Sequence, residues 1–106
     1  MDEVLTVVIQ KDPINQGKCS ANRFIARPGD VVTFLFPGER VATIKFKDGV
    51  TPFNASKLDL RPDPDTGATG IATKTVKVEN GDFNYEITWP GGGSGDGGGD
   101  VKGSRR

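Results

Sequence analysis

The chain has 106 residues, enough for one small domain, and its 14 Lys plus Arg balance 14 Asp plus Glu. With no net charge, no overall field draws it to nucleic acid or to anionic lipid, and with no histidine it lacks imidazole for general acid–base catalysis, for His-bearing triads and for the common zinc sites. A single cysteine, Cys19, excludes an internal disulfide, while Leu, Ile, Val and Phe number 26, above the level of about 20% below which chains tend to stay disordered.

In chain order, "VLTVVIQ" at 4–10 places Leu5, Val7 and Ile9 on one face by period two and predicts a strand. The six-residue run "VLTVVI" is far short of the roughly 20 residues that cross a bilayer. Asp2 and Glu3 follow the first Met where a signal peptide would be basic. The expectation is a cytoplasmic protein, or a secreted one whose signal peptide has been removed. After the "KDPINQGK" loop, a short extended piece at Phe24 and Ile25 meets "RPGD", where Pro28 and Gly29 suit the centre of a type II turn. "DVVTFLF" puts Val32, Phe34 and Phe36 on one face and Val31, Thr33 and Leu35 on the other, a pattern that predicts a strand with little exposure. "PGER" turns the chain, "VATIKFK" turns Ala42, Ile44 and Phe46 inward, and Asp48–Gly49 stops it. "TPFNASKLDL" offers one short helical turn through Phe53, Lys57 and Leu60. "TKTVKVE" and "DFNYEITW" flank Asn80–Gly81, the dipeptide suited to a two-residue hairpin, so these strands are expected to pair antiparallel. At least five strands with closely spaced turns predict an all-β, antiparallel Greek-key sandwich at residues 1–90.

Eight of the fifteen glycines follow Pro90. Glycine loses the most backbone freedom on ordering and brings no side chain to bury, so "GGGSGDGGGD" is expected to be a flexible tail over 91–106, with a short last strand at 100–104 around Val101.

The order "RPGDVVTFLF", "ATIKFKDG" and then "FNYEITW" resembles the cupredoxin-like fold, although a Pro-Gly-Asp turn before a strand also opens strands in immunoglobulin-like sandwiches. Laid on the copper-binding pattern, Ala42 falls where the resemblance implies a His ligand and Trp89 falls near the implied Cys. The following loop should carry another His and a Met but has Pro90 and glycines. Blue copper needs imidazoles, a thiolate and usually a thioether; the chain therefore departs from the family at every ligand position.

Other constellations are weighed against plainer readings. Asp63 and Asp65, with Gly67 and nearby Asp59, have the opening spacing of a calcium loop, but no late bidentate Glu follows. Glycines 91–99 lack the Gly-Lys-Ser/Thr ending of a phosphate cradle. "NAS" at 54–56 fits a glycosylation sequon, which matters only in a secretory pathway. Cys19, beside Lys18 in a polar stretch, reads as a bystander thiol in a loop. Lys102, Arg105 and Arg106 read as a solubilising end, and Trp89 as a rim residue after the core positions Phe83, Tyr85 and Ile87.

The expectation is a metal-free, cofactor-free and non-catalytic binding or protein-interaction module, monomeric or weakly self-associating. Its partner is a protein or small molecule rather than nucleic acid or membrane. The surface singled out is the sandwich end near Arg40, Ala42, Trp89 and Pro90. The alternative is a structural or assembly protein that associates through exposed edge strands. Less expected are a small calcium- or ligand-binding protein and an enzyme using Asp59, Asp63 or Glu86.

Overall fold

The structure, a computed structural model, describes residues 3–103. Its elements are β1 (Val4–Lys11), β2 (Lys18–Ala21), β3 (Phe24–Ala26), β4 (Val31–Pro37), β5 (Ala42–Phe46), a single 3-10 turn (Lys47–Gly49), β6 (Lys57–Pro62), β7 (Thr69–Thr75), β8 (Gly81–Trp89) and β9 (Gly93–Val101). One layer, sheet A, is β1–β4–β7, and the other, sheet B, is β5–β8–β9 extended by β2 and β3. Two strands serve both layers. The first half of β1 pairs with β4 and its last three residues pair with β2, while β6 lies along β5 and then hands Arg61 and Pro62 to β7. With β2 also against β9, the strands close into a flattened barrel.

The all-β sandwich is present, with a mixed rather than wholly antiparallel ladder: β1 runs parallel to β4, and β2 and β3 run parallel to β9. The turn at Arg27–Asp30 is as expected, with Gly29 at φ 90° and the Asp30 N–H donating to the Arg27 carbonyl at 3.1 Å. Asp30 itself is 5% exposed. Its two carboxylate oxygens accept the N–H groups of Glu3 (3.0 Å) and Arg27 (2.9 Å), which ties the start of β1 to the turn before β4.

Alternation builds the core. Val32, Phe34 and Phe36 of β4, Ile44 and Phe46 of β5, and Tyr85 and Ile87 of β8 are all buried between the sheets. Phe34 stands edge-on to Tyr85 (centroids 5.7 Å apart) and to Phe53 (6.1 Å), and Phe46 edge-on to Tyr85 (5.3 Å), the geometry the ring quadrupole favours.

Several expectations are corrected. Asn80–Gly81 does not join a hairpin: β7 pairs with β4 and β6, while β8 pairs with β5 and β9. Residues 76–80 instead carry the chain between the layers. Val76 is buried, and the Val76 and Lys77 N–H groups donate to the Asp30 and Pro52 carbonyls at 2.8 Å. The apolar Val76 and Val78 that read as strand continuation anchor that crossing. Phe53 and Leu60 lie on no helical turn. Phe53 is a buried plug ahead of β6, Leu60 an inward residue of β6, and the one helical turn among the described residues sits at Lys47–Gly49, with Asp48 and Gly49 both at positive φ.

The glycine-rich segment is not a free tail. Residues 93–101 form a nine-residue strand paired with the whole of β8, so the final strand starts well before residue 100. Its inward positions are Gly93, Gly95, Gly97, Gly99 and Val101, and side chains from other strands occupy the space there. A Cβ on Gly93 would overlap the Trp89 ring, one on Gly95 would overlap Cys19, one on Gly97 the Tyr85 phenol, and one on Gly99 the Phe24 ring. The neighbours supply the apolar area that glycine lacks. Residues 104–106, with Arg105 and Arg106, lie outside the described residues.

Candidate functional site

The end expected to bind a partner is closed by packing. Thr43 of β5 is registered with Thr88 of β8, so Ala42 and Trp89 follow on adjacent strands, both buried, while Arg40 and Pro90 are exposed beside them. Trp89 does not stand at the rim. It is 8% exposed, lies over Gly93 and meets Phe36 edge-on at 5.1 Å. Lys11 covers it, its Nζ 5.8 Å from the ring centroid and ion-paired with Glu39. This end therefore brings Ala42 and Trp89 together as core and leaves Arg40 and Pro90 exposed beside them.

Asp63 and Asp65 make a turn. The Asp65 N–H donates to Asp63 Oδ1 at 2.7 Å, and the Gly67 N–H donates to the Asp63 carbonyl at 2.7 Å. Asp59 is on β6, opposite Thr43, whose hydroxyl donates to it at 3.4 Å. Among the described residues no three Cys, Asp or Glu side chains gather as they would around a metal ion.

Cys19 is on strand β2, not in a loop. It is buried, and burial, with the Asp96 charge adding to it, pushes its thiol up to about 11. Such a thiol is protonated and unreactive at neutral pH. Beneath the same strand the Tyr85 hydroxyl is buried without a hydrogen-bond partner among the described groups, and its desolvation raises the phenol well above its ordinary range.

The two outward faces differ sharply in charge. On sheet B the outward residues of one row run Lys57, Lys45, Glu86, Asp96 across four strands, and another row holds Asp82 against Asp100. Arg23 reaches over this face to Asn84 Oδ1 (3.0 Å) and Asp100 Oδ1 (2.7 Å), and its hydrogen bond holds the Asp100 carboxyl below the usual carboxylate range. On sheet A three rows cross β1, β4 and β7: Val4–Val31–Thr75, Thr6–Thr33–Thr73 and Val8–Leu35–Ile71. On these three strands none carries a charge, and the third row ends on the exposed Arg61 of β6, the ladder partner of Ile71. Val4 is 70% and Val8 40% exposed, and Val31, Thr33, Leu35 and Ile71 are half-buried by their neighbours alone. The second face of "DVVTFLF" is thus open to solvent, not covered. Its signal in the sequence was visible as uncharged alternate positions over 31–35 and 69–75. Only strand order could show that they form one surface.

Comparison of the sequence with protein-family models and with curated proteins gives no match. Among solved structures, a multicopper oxidase superposes with a TM-score of 0.50 at 12% identity, over 95% of this chain and 44% of that one. The fold is cupredoxin-like. A rusticyanin from Thiobacillus ferrooxidans (20% identity, TM-score 0.47, 93% of this chain and 77% of that one) and a rusticyanin mutant (18%, 0.49, 93% and 78%) are similar as well. The chain spans less than half the length of the multicopper oxidase, and the likeness at these identities is one of fold. The copper chemistry of such proteins does not fit the residues present. This cupredoxin-like sandwich has no imidazole, its one thiol is buried under β9, and Trp89 and Phe36 fill the end where Ala42 stands.

Proposed function

We propose that this cupredoxin-like domain is a non-catalytic protein-interaction module whose contact surface is the outer face of β1, β4 and β7 in sheet A. One observation carries the reading: β1, β4 and β7 present Val, Thr, Leu and Ile outward, with Arg61 of β6 only at the end of one row, while sheet B presents Lys, Asp and Glu. Covering an uncharged face removes apolar area from water without desolvating an unpaired ion, which is what makes burial favourable. The exposed apolar residues are contiguous here, a pattern associated with interaction sites rather than with scattered surface hydrophobes.

Edge-strand association is the second reading. The ring closes through β2 and β9, but among the described residues β3, Val4–Val8 of β1, Lys57–Leu60 of β6 and Ala72–Thr75 of β7 each have a ladder partner on one side only.

Photo-crosslinking tests the proposal. A photoreactive amino acid at Thr33 should give a discrete protein adduct in the source cells, and the same group at Lys45 on sheet B should not. Equal labelling from both positions, or none from Thr33, would discard the assignment of sheet A.

A further inference from the structure

We infer that the seam between β1 and β3 is a second binding site, separate from the sheet A face, and that it takes the C-terminal end of an extended polypeptide with an apolar last side chain. The seam opens where β1 leaves β2: Gln10 is registered with Ser20, but Val4–Val8 pair only with β4 and Phe24–Ala26 only with β9 among the described residues. Backbone direction then decides what faces the opening. The Glu3 carbonyl accepts the Val31 N–H at 2.8 Å, and the Ala26 carbonyl accepts the Lys102 N–H at 2.9 Å. Successive residues of a strand aim their N–H and C=O groups to opposite sides, so Val4 and Thr6 on one lip and Ile25 on the other turn theirs into the seam. Such unpaired groups are a template for another backbone.

The far end of the seam narrows the choice of occupant. There it widens into a cleft of about 430 Å³, walled by Leu5, Ile25 and Ala26 and rimmed by Glu3, Arg27 and Lys102. Asp30 closes that end: it is buried, and its two carboxylate oxygens are taken up by the Glu3 and Arg27 N–H groups. A strand cannot run through a seam tied at both ends, whereas a chain terminus can enter it. Ile25 is 64% exposed and offers an apolar side chain a surface to cover. Arg27 and Lys102 are in no ion pair among the described residues, so a terminal carboxylate between them gains charge-assisted hydrogen bonds. Glu3 and Asp30 limit the occupant to a single negative charge, which disfavours phosphates and polyanions. The Val4–Thr6 lip, about 7 Å long at 3.3 Å per residue, matches only the last two or three residues of a partner, so binding is weak.

Amide NMR of the full, isotope-labelled chain tests this with the peptide acetyl-Gly-Ser-Val-Leu. With a free C-terminal carboxylate it should shift the Val4, Thr6, Ile25 and Arg27 amides together, with a Kd of about 0.1–1 mM. The C-terminal amide of the same peptide should bind at least about tenfold more weakly, because the charge-assisted bonds are lost. The same loss is expected for Arg27→Gln, and Lys102→Gln serves in its place should that variant fold poorly. Acetate, which lacks the backbone and the apolar side chain, should leave these amides unmoved at the concentration that saturates the peptide. Equal shifts with acetate would show a simple anion site and overturn the peptide as occupant. No shift with the peptide at about 5 mM, equal binding of its amide, or shifts confined to Thr33 and Leu35 on the sheet A face would each overturn the inference.

Discussion

Strands β4 and β9 both line the core, and they fill it by opposite means. β4 projects its own side chains inward, Val32, Phe34 and Phe36, all fully buried. β9 projects almost none, and Trp89, Cys19, Tyr85 and Phe24 lie against its glycines. The apolar area removed from water belongs in one case to the strand and in the other to its neighbours. The difference teaches that a strand needs a filled inner face, not inward side chains of its own, provided that adjacent strands carry residues large enough to reach across.

Truncating one side of this comparison should have the largest effect. Phe34 packs edge-on against Phe24, Phe53 and Tyr85, so Phe34→Ala should destabilise by about 3–5 kcal/mol in denaturant melts, the cost of a large core cavity. A loss below about 1 kcal/mol would mean that the rings collapse to refill the site. Enlarging the other side comes next. Gly97→Val forces a branched side chain into the Tyr85 phenol and should cost about 1–3 kcal/mol through overpacking. Asp96→Val, one residue away and outward, should change stability by about 0.5 kcal/mol or less if packing alone matters. Equal effects at 96 and 97 would break the contrast between the strands.

Asp30 probes the joint that sets the start of β4. Asp30→Ala leaves the Glu3 and Arg27 N–H groups without their acceptor, and should cost about 1–3 kcal/mol. Hydrogen exchange at Glu3 and Arg27 should quicken before that at Phe34, and uniform acceleration would show that the tie is global.

The smallest effect concerns Cys19 beneath β9. The folded state keeps its thiol protonated up to about 11, whereas the ordinary value is 9.0. Between these values the unfolded chain has released a proton that the folded chain still holds, so stability falls as pH rises through that window. Cys19→Ala should flatten the decline, and at pH 8 the wild-type thiol should react with a disulfide reagent only after unfolding. Rapid reaction in the native state would show that the glycine strand opens easily.

Much of the sandwich was legible in local pattern. Period-two alternation identified the inward residues of β1, β4, β5 and β8, and Pro28–Gly29 marked its turn, because side-chain direction and turn dihedrals are set within a few residues. Asn80–Gly81 misled for a related reason. The dipeptide permits a tight hairpin but does not enforce one, and Val76 gained more by burial in the crossing between layers than by extending β7. Trp89 was placed at the rim because it ends a strand; the glycine that lets its ring lie flat is four residues on, at Gly93.

Composition by itself determined one missing side chain: without histidine there is no imidazole to bind copper or move a proton, whatever the fold. Alternation determined which residues share a face of each strand. Only the tertiary structure decided which strands became neighbours, and with that two things that no local window contains. One is the ordering of a glycine run, whose entropic cost is offset by side chains that begin in Trp89, Tyr85, Cys19 and Phe24. The other is the apolar and threonine surface of β1, β4 and β7, because parallel pairing of β1 with β4 and antiparallel pairing of β4 with β7 set Thr6, Thr33 and Thr73 in one row from three distant parts of the chain.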